Sequence, residues 1–336
     1  MKSTEEIYIK RCIQLSKNGL GTTYPNPLVG SVIVYNDSII GEGWHRKSGE
    51  SHAEVNAINS VKDKTLLSKS TIYVSLEPCS HFGKTPPCCD LIIANKIPNV
   101  VIGTIDPFAK VSGSGIKKLL EAGKNVTVGI LEDECNELNK RFFTFHNKKR
   151  PYIILKWAES QDGFIAPISK EKKEPVWITN EFSRQLVHKW RSEEQAILVG
   201  TQTVLDDNPT LTVRDWTGTN PIRIVLDQNN KIPKESHIFD NQARTLSILK
   251  DNINFNNTIA AQIAKYLYNN DVQSVIVEGG RKTLQTFIDA DFWDEARIFK
   301  GPISFNEGVK APNIKIRNTQ KQQILTDELI LFFNHD

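Results

Sequence analysis

Four side chains in the first third of the chain could together run hydrolytic chemistry. His52 and Glu54 stand two apart in His52-Ala53-Glu54; Cys79 follows in Glu77-Pro78-Cys79, and Cys88 in Pro86-Pro87-Cys88-Cys89. One imidazole and two thiolates make three protein ligands, the number a catalytic zinc site uses while leaving its fourth position to water. Zinc brings the pKa of that water down towards about 7, so hydroxide is available at neutral pH. Glu54 is close enough to His52 to reach the water without binding the ion. It can carry a proton from water to a departing amine. A helix N-terminus favours negative charge and so eases ionisation of cysteines placed there. Adjacent Cys88 and Cys89 cannot both ligate easily. Cys88 lies nearer the proline-rich helix start and is taken as the ligand. Cys89, Cys12 and Cys135 read as small buried apolar residues.

Neither His-x-Glu nor Pro-Cys carries weight alone, since both arise often by chance. Their order, each at a strand–helix junction, does. Zinc deaminases share His-x-Glu followed by Pro-Cys-x-x-Cys. The first part fits here, while Ser80 to Pro87 lengthen the gap between the two cysteines.

The elements that must hold these residues can be read from periodicity. Thr4 can cap a first helix whose apolar positions Ile7, Cys12, Ile13 and Leu15 lie on one face. Strands at 28–35 and 39–44 flank an Asn36-Asp37 hairpin turn. A helix follows over 52–61. Short apolar strands at 71–76, 100–104 and 126–131 alternate with helices near 87–94 and 115–121. That alternation implies a layered α/β sheet. A charged helical stretch over 132–146 leads into Lys148-Lys149-Arg150, which reads as a solvated linker rather than a phosphate-binding patch. A domain boundary is expected near 147–151, giving domains 1–147 and 148–336. The second half alternates again, with strands at 152–157, 196–199, 221–226, 245–249, 274–277 and 296–299 and helices at 258–268 and 283–288. Residues 168–175 form a polar, lysine- and glutamate-rich loop of lid-like character.

Composition narrows the field. Of 336 residues, 42 are Lys or Arg and 39 are Asp or Glu, a net charge of +3. So balanced a chain lacks the electrostatic footprint of a nucleic-acid binder. No apolar run reaches the ~18 residues of a membrane span, and the acidic start Met1-Lys2-Ser3-Thr4-Glu5-Glu6 is not a secretory signal. Five cysteines without a repeating framework point to metal or catalytic use in a cytoplasmic chain.

Over almost its whole length the sequence resembles the bifunctional riboflavin-pathway deaminase/reductases, the RibD family. In the first half the resemblance lies in Tyr24-Pro25-Asn26-Pro27-Leu28-Val29-Gly30, Gly41-Glu42-Gly43-Trp44-His45, His52-Ala53-Glu54 and the run from Glu77 to Cys89, long insertion included. In the second half it lies in Leu155-Lys156-Trp157-Ala158, Trp177-Ile178-Thr179, Arg191, the run from Val199 to Arg214 and Val277-Glu278-Gly279-Gly280. It implies an N-terminal cytidine-deaminase-like α/β domain and a C-terminal domain similar to dihydrofolate reductase. It implies one zinc on His52, Cys79 and Cys88, Glu54 as proton carrier, and a deaminase pocket built from Asn26, His45, His81 and Lys84. For the reductase half it implies NADPH held by Ala158, Trp177, Thr203, Asp207 and Gly280, Arg281, Lys282 and Thr283. Substrate there meets Lys156, Arg191, Leu211, Arg214 and Glu278, with Asp207 beside the reacting carbon. The substrates implied are small pyrimidine ribosyl phosphates, and the assembly a homo-oligomer joined through the reductase domain.

The residues themselves agree in part. Asn26 can pair bidentately with a pyrimidine edge; a turn residue between two prolines is the plainer alternative. His45, His81 and Lys84 offer donors to a ribose phosphate. Gly279-Gly280 between a strand and a helix allows close approach to a phosphate, though such pairs are often just turns. Arg191 and Arg214 suit a phosphate bidentately. Asp206 and Asp207 could equally be cap and turn residues before Asn208-Pro209. Pro175 stands where the family often has serine. The rival reading is a deaminase of another cytosine-type nucleotide or of a tRNA base, with a degenerate nucleotide-binding second half. The near-neutral charge argues against the tRNA substrate.

Overall fold

Asn36 and Asp37 both take positive φ, 47° and 58°, the backbone shape that a two-residue type I′ hairpin demands. They join β1 (Gly30–Tyr35) to β2 (Ser38–Trp44) in an antiparallel pair. This hairpin starts the first of two compact units, Met1–Lys148 and Lys149–Asp336, in the computed structural model. The structure describes residues 4–80, 86–107, 113–169, 174–315 and 319–334.

In the first unit β3 (Thr71–Leu76), β4 (Asn99–Thr104) and β5 (Asn125–Val128) complete a five-stranded sheet of order β2-β1-β3-β4-β5. β3, β4 and β5 run parallel, and β3 is antiparallel to β1. Its central strands are apolar on both faces because both faces are covered. Ile33, Ile72, Val74, Val100 and Ile102 join the core under α2 (Ala53–Ser60), α3 (Cys88–Ala94) and α4 (Ser114–Glu121). Val32, Val34, Tyr73 and Val101 point the other way, to α1 (Thr4–Ser16). The period of two along each strand thus serves two cores at once. Within α1 the buried face is Tyr8, Ile9, Cys12, Ile13 and Leu15; Ile7 is 55% exposed, contrary to its expected place in the apolar stripe.

Two glycines bring α2 against β2. A Cβ on Gly43 would lie 2.4 Å from the Ala57 nitrogen, and one on Gly41 would lie 2.6 Å from the Ala57 carbonyl oxygen. The helix that carries His52 and Glu54 therefore sits closer to the sheet than any side chain would permit.

The charged stretch expected as one helix is two, α5 (Glu132–Leu138) and α6 (Lys140–Lys148). Asn139 separates them, its side-chain amide donating to the Leu28 carbonyl at 2.9 Å and accepting the Leu28 N–H at 2.8 Å. The linker expectation also changes. Arg150 is not solvated: its guanidinium grips Asp294 with two bonds of 2.6 and 2.7 Å.

The second unit is built on an eight-stranded sheet of order β10-β9-β8-β11-β6-β12-β15-β14. β6 (Tyr152–Glu159) lies near the middle, and β7 (Phe164–Pro167) leaves it to form a two-stranded ribbon. Next come α7 (Glu181–Glu193), β8 (Ala196–Gly200), α8 (Thr201–Asp207), β9 (Ile222–Leu226), β10 (Thr245–Ile248), α9 (Ile259–Asn269), β11 (Ser274–Val277), α10 (Arg281–Asp289) and β12 (Glu295–Lys300). β13 (Gly308–Lys310) partners β7, and β14 (Thr319–Ile324) with β15 (Asp327–Phe333) closes the large sheet as an antiparallel hairpin on β12. Periodicity had left α7 and this hairpin unplaced. They support one another: Asp327, fully buried, accepts from the Asn180 N–H at 2.9 Å and the Ser183 hydroxyl at 2.6 Å. The last strand thereby caps the start of α7. Residues 170–173, the centre of the expected lid-like loop, lie outside the described residues. Among the described residues no helix is long and apolar enough to cross a membrane.

Glu77, at the end of β3, is 4% exposed. Its carboxylate accepts backbone N–H groups of Asp106 and Gly113 on one oxygen and of Gly115 and Ile116 on the other, at 2.9–3.3 Å. It therefore caps α4 from a different strand, satisfying donors that the helix itself leaves open. Glu77→Gln keeps the volume but turns an amide donor towards N–H groups. Charge-assisted bonds of this kind are worth about 1.5–3 kcal/mol each way, so thermal unfolding of the variant should begin about 5–10 °C lower. An unchanged melting curve would show that these amides have other acceptors.

Candidate functional sites

The turn after β3 and the start of α3 bring Cys79 and Cys88 to the N-terminus of α2. His52 Nδ1 lies 3.6 Å from Cys79 Sγ and 3.4 Å from Cys88 Sγ, and the three donor atoms all fall within 4.8 Å of one another. Tetrahedral ligands at zinc–sulfur and zinc–nitrogen distances of ~2.3 and ~2.1 Å stand about 3.6 Å apart. Two soft sulfurs and one imidazole at this separation fit zinc. The Cys88 backbone N–H donates to Cys79 Sγ at 3.3 Å. The Cys88 thiol and His52, working against burial, hold the Cys79 thiol down at about 4. Cys89 points elsewhere. It is fully buried, its thiol donates to the Pro78 carbonyl at 3.3 Å, and burial pushes it up to about 12.

Glu54, on the first turn of α2, is 3% exposed. Burial, aided by the charge on Cys79, raises its carboxyl to about 6. A carboxyl raised so far exchanges protons near neutrality, as a proton carrier must. His45 stacks edge-on to His52, ring centroids 5.4 Å apart. Both its nitrogens are engaged: Nε2 lies 3.0 Å from Asn26 Nδ2 and Nδ1 lies 3.1 Å from the Ser51 carbonyl. His45 is only 2% exposed. In this arrangement it holds Asn26. His81 and Lys84 lie outside the described residues.

In the second unit every candidate from that half lines one cleft of about 1780 Å³. Lys156, Trp157 and Ala158 of β6 line it, as do Glu278 and Gly279 just after β11. Lys156 Nζ lies 4.0 Å from Glu278 Oε2, and Arg191 Nη2 donates to the same oxygen at 2.8 Å. Burial pushes the Glu278 carboxyl up, but Arg191 and Lys156 outweigh it and hold it at about 2. Burial pulls the Lys156 ammonium down. Arg191 Nε and Glu278 Oε1 are buried without a hydrogen-bond partner. An unused donor and an unused acceptor on two residues that line the cleft suit a polar ligand nearby.

One wall comes from two strand-to-helix turns that interlock. The Gly280 N–H donates to Thr203 Oγ1 at 3.0 Å. A Cβ on Gly279 or on Gly200 would come within 2.7 Å of Thr283. Gly280 caps α10, whose first residues are Arg281, Lys282 and Thr283. The bare backbone here fits a nucleotide phosphate. Ala158, Asp207 and Leu211 line the same space. Leu211 is buried with a φ of 54°. At the mouth Trp177 is 56% exposed, with the Arg184 guanidinium 4.7 Å over its ring. Pro175 is also at the mouth, and exposed. Arg214 projects from the loop after α8, its Nη1 donating to Thr210 Oγ1 at 2.6 Å.

His188 is a cleft residue that sequence reasoning passed over. It sits one turn before Arg191 on α7. A lone histidine stands out only once that helix is placed.

Comparison with known proteins covers both halves. Residues 2–104 match the cytidine and deoxycytidylate deaminase zinc-binding region, and residues 151–313 match the RibD C-terminal domain. The riboflavin biosynthesis protein RibD of Aquifex aeolicus is 37% identical, over 99% of both chains. That of Bacillus amyloliquefaciens is 38% identical, over 92% of this chain and 87% of its own. The crystal structure of a diaminohydroxyphosphoribosylaminopyrimidine deaminase/5-amino-6-(5-phosphoribosylamino)uracil reductase from Thermotoga maritima is 36% identical and superposes with a TM-score of 0.87, over 98% of both chains. A three-donor cluster in one unit, a two-glycine cleft in the other and relatives matched end to end place the chain in the RibD family of riboflavin biosynthesis proteins.

Proposed function

We propose that the chain carries out two consecutive steps of riboflavin biosynthesis. The observation that carries the proposal is the convergence of His52, Cys79 and Cys88 beside a buried Glu54. In the first unit the substrate is 2,5-diamino-6-ribosylamino-4(3H)-pyrimidinone 5′-phosphate, and an amino group is exchanged for oxygen. When bound at His52, Cys79 and Cys88, zinc supplies the Lewis acidity that activates water at neutral pH. Glu54 takes the proton from the attacking water and returns it to the nitrogen that leaves as ammonia. Asn26, fixed by His45, reads the pyrimidine edge, and His81 and Lys84 meet the ribose phosphate.

In the second unit the ribosyl side chain is reduced to ribityl. Ala158, Trp177, Thr203, Asp207 and the turn from Gly280 to Thr283 would hold NADPH, which when bound would supply the hydride for reduction at C1′ of the opened sugar. Lys156, Arg191, Leu211, Arg214 and Glu278 bind and orient the substrate, with the two arginines towards its phosphate. Asp207 sits beside the reacting carbon. Family membership also supports a cytoplasmic enzyme that assembles through its second unit. The boundary we assign to the two activities lies at 147/148.

Elemental analysis should find about one zinc per chain. Cys88→Ser should remove most of it and Cys89→Ser should not; the reverse pattern would give the ligand role to Cys89.

Glu54→Gln retains shape but cannot accept a proton. Zinc should stay bound, while ammonia release falls by about 10²–10⁴-fold. NADPH oxidation with the deaminated intermediate supplied should continue near the parent rate. Lost zinc would make Glu54 structural, and unimpaired deamination would hand the proton transfer to another residue.

Glu278 ionises near 2 in the folded chain, below its ordinary 4.5. Its contribution to stability is therefore complete above about pH 4.5 and drains away as pH falls towards about 2. Glu278→Gln lacks that acid limb. Melting temperatures of parent and variant should converge between about pH 6 and pH 3. A constant gap would mean that the pair with Arg191 does not set this carboxyl's ionisation.

A further inference from the structure

Three side chains from two elements grip the loop after α8. From β9, the buried Arg223 donates through Nη1 to the Thr210 carbonyl at 3.2 Å. From α7, Arg191 Nη1 donates to the Thr212 carbonyl at 3.3 Å. Also from α7, His188 Nδ1 accepts the main-chain N–H of Arg214 at 3.1 Å. A neutral imidazole that accepts at Nδ1 carries its proton on Nε2. That nitrogen faces Asp215 Oδ2 at 3.4 Å. Both ring nitrogens are thus spent on consecutive residues of one loop.

His188 is 4% exposed. Burial, then the charges of Arg191 and Arg214, hold its imidazole down at about 4, against the opposing pull of Asp215 and Glu278. Those groups face it from its own helix, from the loop and from the end of β11. The ring therefore stays neutral at working pH and keeps its acceptor. A third cation beside Arg191 and Arg214 is avoided, and the two arginines remain the charges that a phosphate meets.

A buried histidine on a helix is most often a satisfied core residue. Two features set His188 apart: it lines the cleft, and the residue it fixes carries a guanidinium at the cleft mouth. That guanidinium is restrained at its far end by Thr210 Oγ1 at 2.6 Å. With the main chain held at one end and Nη1 at the other, the side chain has little freedom left to lose on binding.

We propose that His188 is a positioning residue for the reductase: its imidazole fixes the main chain at Arg214 and so aims the Arg214 guanidinium at the substrate's phosphate. The proposal rests on the assignment of Arg214 to substrate binding made above.

The test is steady-state reduction of 5-amino-6-(5-phosphoribosylamino)uracil by the full-length zinc-loaded enzyme with NADPH. His188→Leu removes the acceptor. KM for this substrate should rise about tenfold, the worth of one good hydrogen bond, with kcat and KM for NADPH within about twofold of the parent. His188→Asn places a side-chain carbonyl near the position of Nδ1 and should recover most of the loss. With the dephosphorylated substrate, parent and His188→Leu should bind alike. Arg214→Gln runs in parallel. If it leaves KM unchanged, the assignment of Arg214 fails. If it raises KM while His188→Leu does not, the assignment stands and the positioning role fails. A fall in kcat with a rise in KM for NADPH, unrescued by asparagine, would make His188 merely structural and overturn the proposal. Should the leucine variant not fold, ¹⁵N NMR of the parent imidazole decides. An unprotonated Nδ1 with protonated Nε2 at neutral pH supports the proposal, and a protonated Nδ1 overturns it.

Discussion

A carboxylate taken out of water must find donors as strong as those it left, and both units of this protein are organised around that demand. In the first, Glu77 collects backbone N–H groups from two segments far along the chain and ties them to the end of β3, just before Cys79. In the second, Asp294 takes two bonds from Arg150 and one from the Ile153 N–H. Asp327 fastens the last hairpin to α7, and Glu278 is held in the cleft by Arg191 and Lys156. Three of these four anions are structural. Only Glu278 keeps an oxygen without a partner, and it is the one that lines the cleft. Satisfaction of the other three is what makes the open valence at Glu278 informative.

The same contrast governs what the sequence could disclose. Donors whose chemistry is local were legible: His52, Glu54, Cys79 and Cys88 announce themselves by type, order and junction. The geometry adds only that Nδ1 of His52 meets both sulfurs. Of the adjacent pair, Cys88 lies in the three-donor cluster and Cys89 faces the core. Strands buried on both faces were legible because apolar runs flanked by turn residues have few other homes. What failed were features set by partners distant in sequence. Asn139 breaks a helix because Leu28 presents a main-chain pair to its amide, an interaction 111 residues away. Arg150 sits in a basic triplet that reads as solvated, yet its partner is 144 residues on. α7 and the last hairpin escaped periodicity because each is stabilised by the other through Asp327.

The electrostatics of the two sites differ in kind. In the three-donor cluster the shifts are large: burial and the charge on Cys79 raise Glu54 to about 6, and the Cys88 thiol and His52 lower Cys79 to about 4. The shift at Glu54 brings that carboxyl towards the working range for proton exchange. In the cleft the charges are spread, and only Glu278 and His188 move far, to about 2 and about 4. Both shifts leave the group in the state that serves binding, an anion beside cations and a neutral ring beside arginines. Neither lies where a proton would come or go near neutrality.

This division fits the two chemistries. Exchange of an amino group for oxygen moves protons between water and nitrogen, so the protein must supply a group that both takes and gives one. Hydride transfer from a nicotinamide asks the protein for placement, because the cofactor carries the electrons. A site that places ligands gains from side chains with fixed charge and few rotamers left, and the cleft is made that way. Arg191 is tied to Glu278 and Thr212, Arg214 is tied through Thr210, and Gly279 is packed against Thr283 too closely for a side chain. Arginines held through their donors and the Gly279-Gly280 turn thus line one cleft.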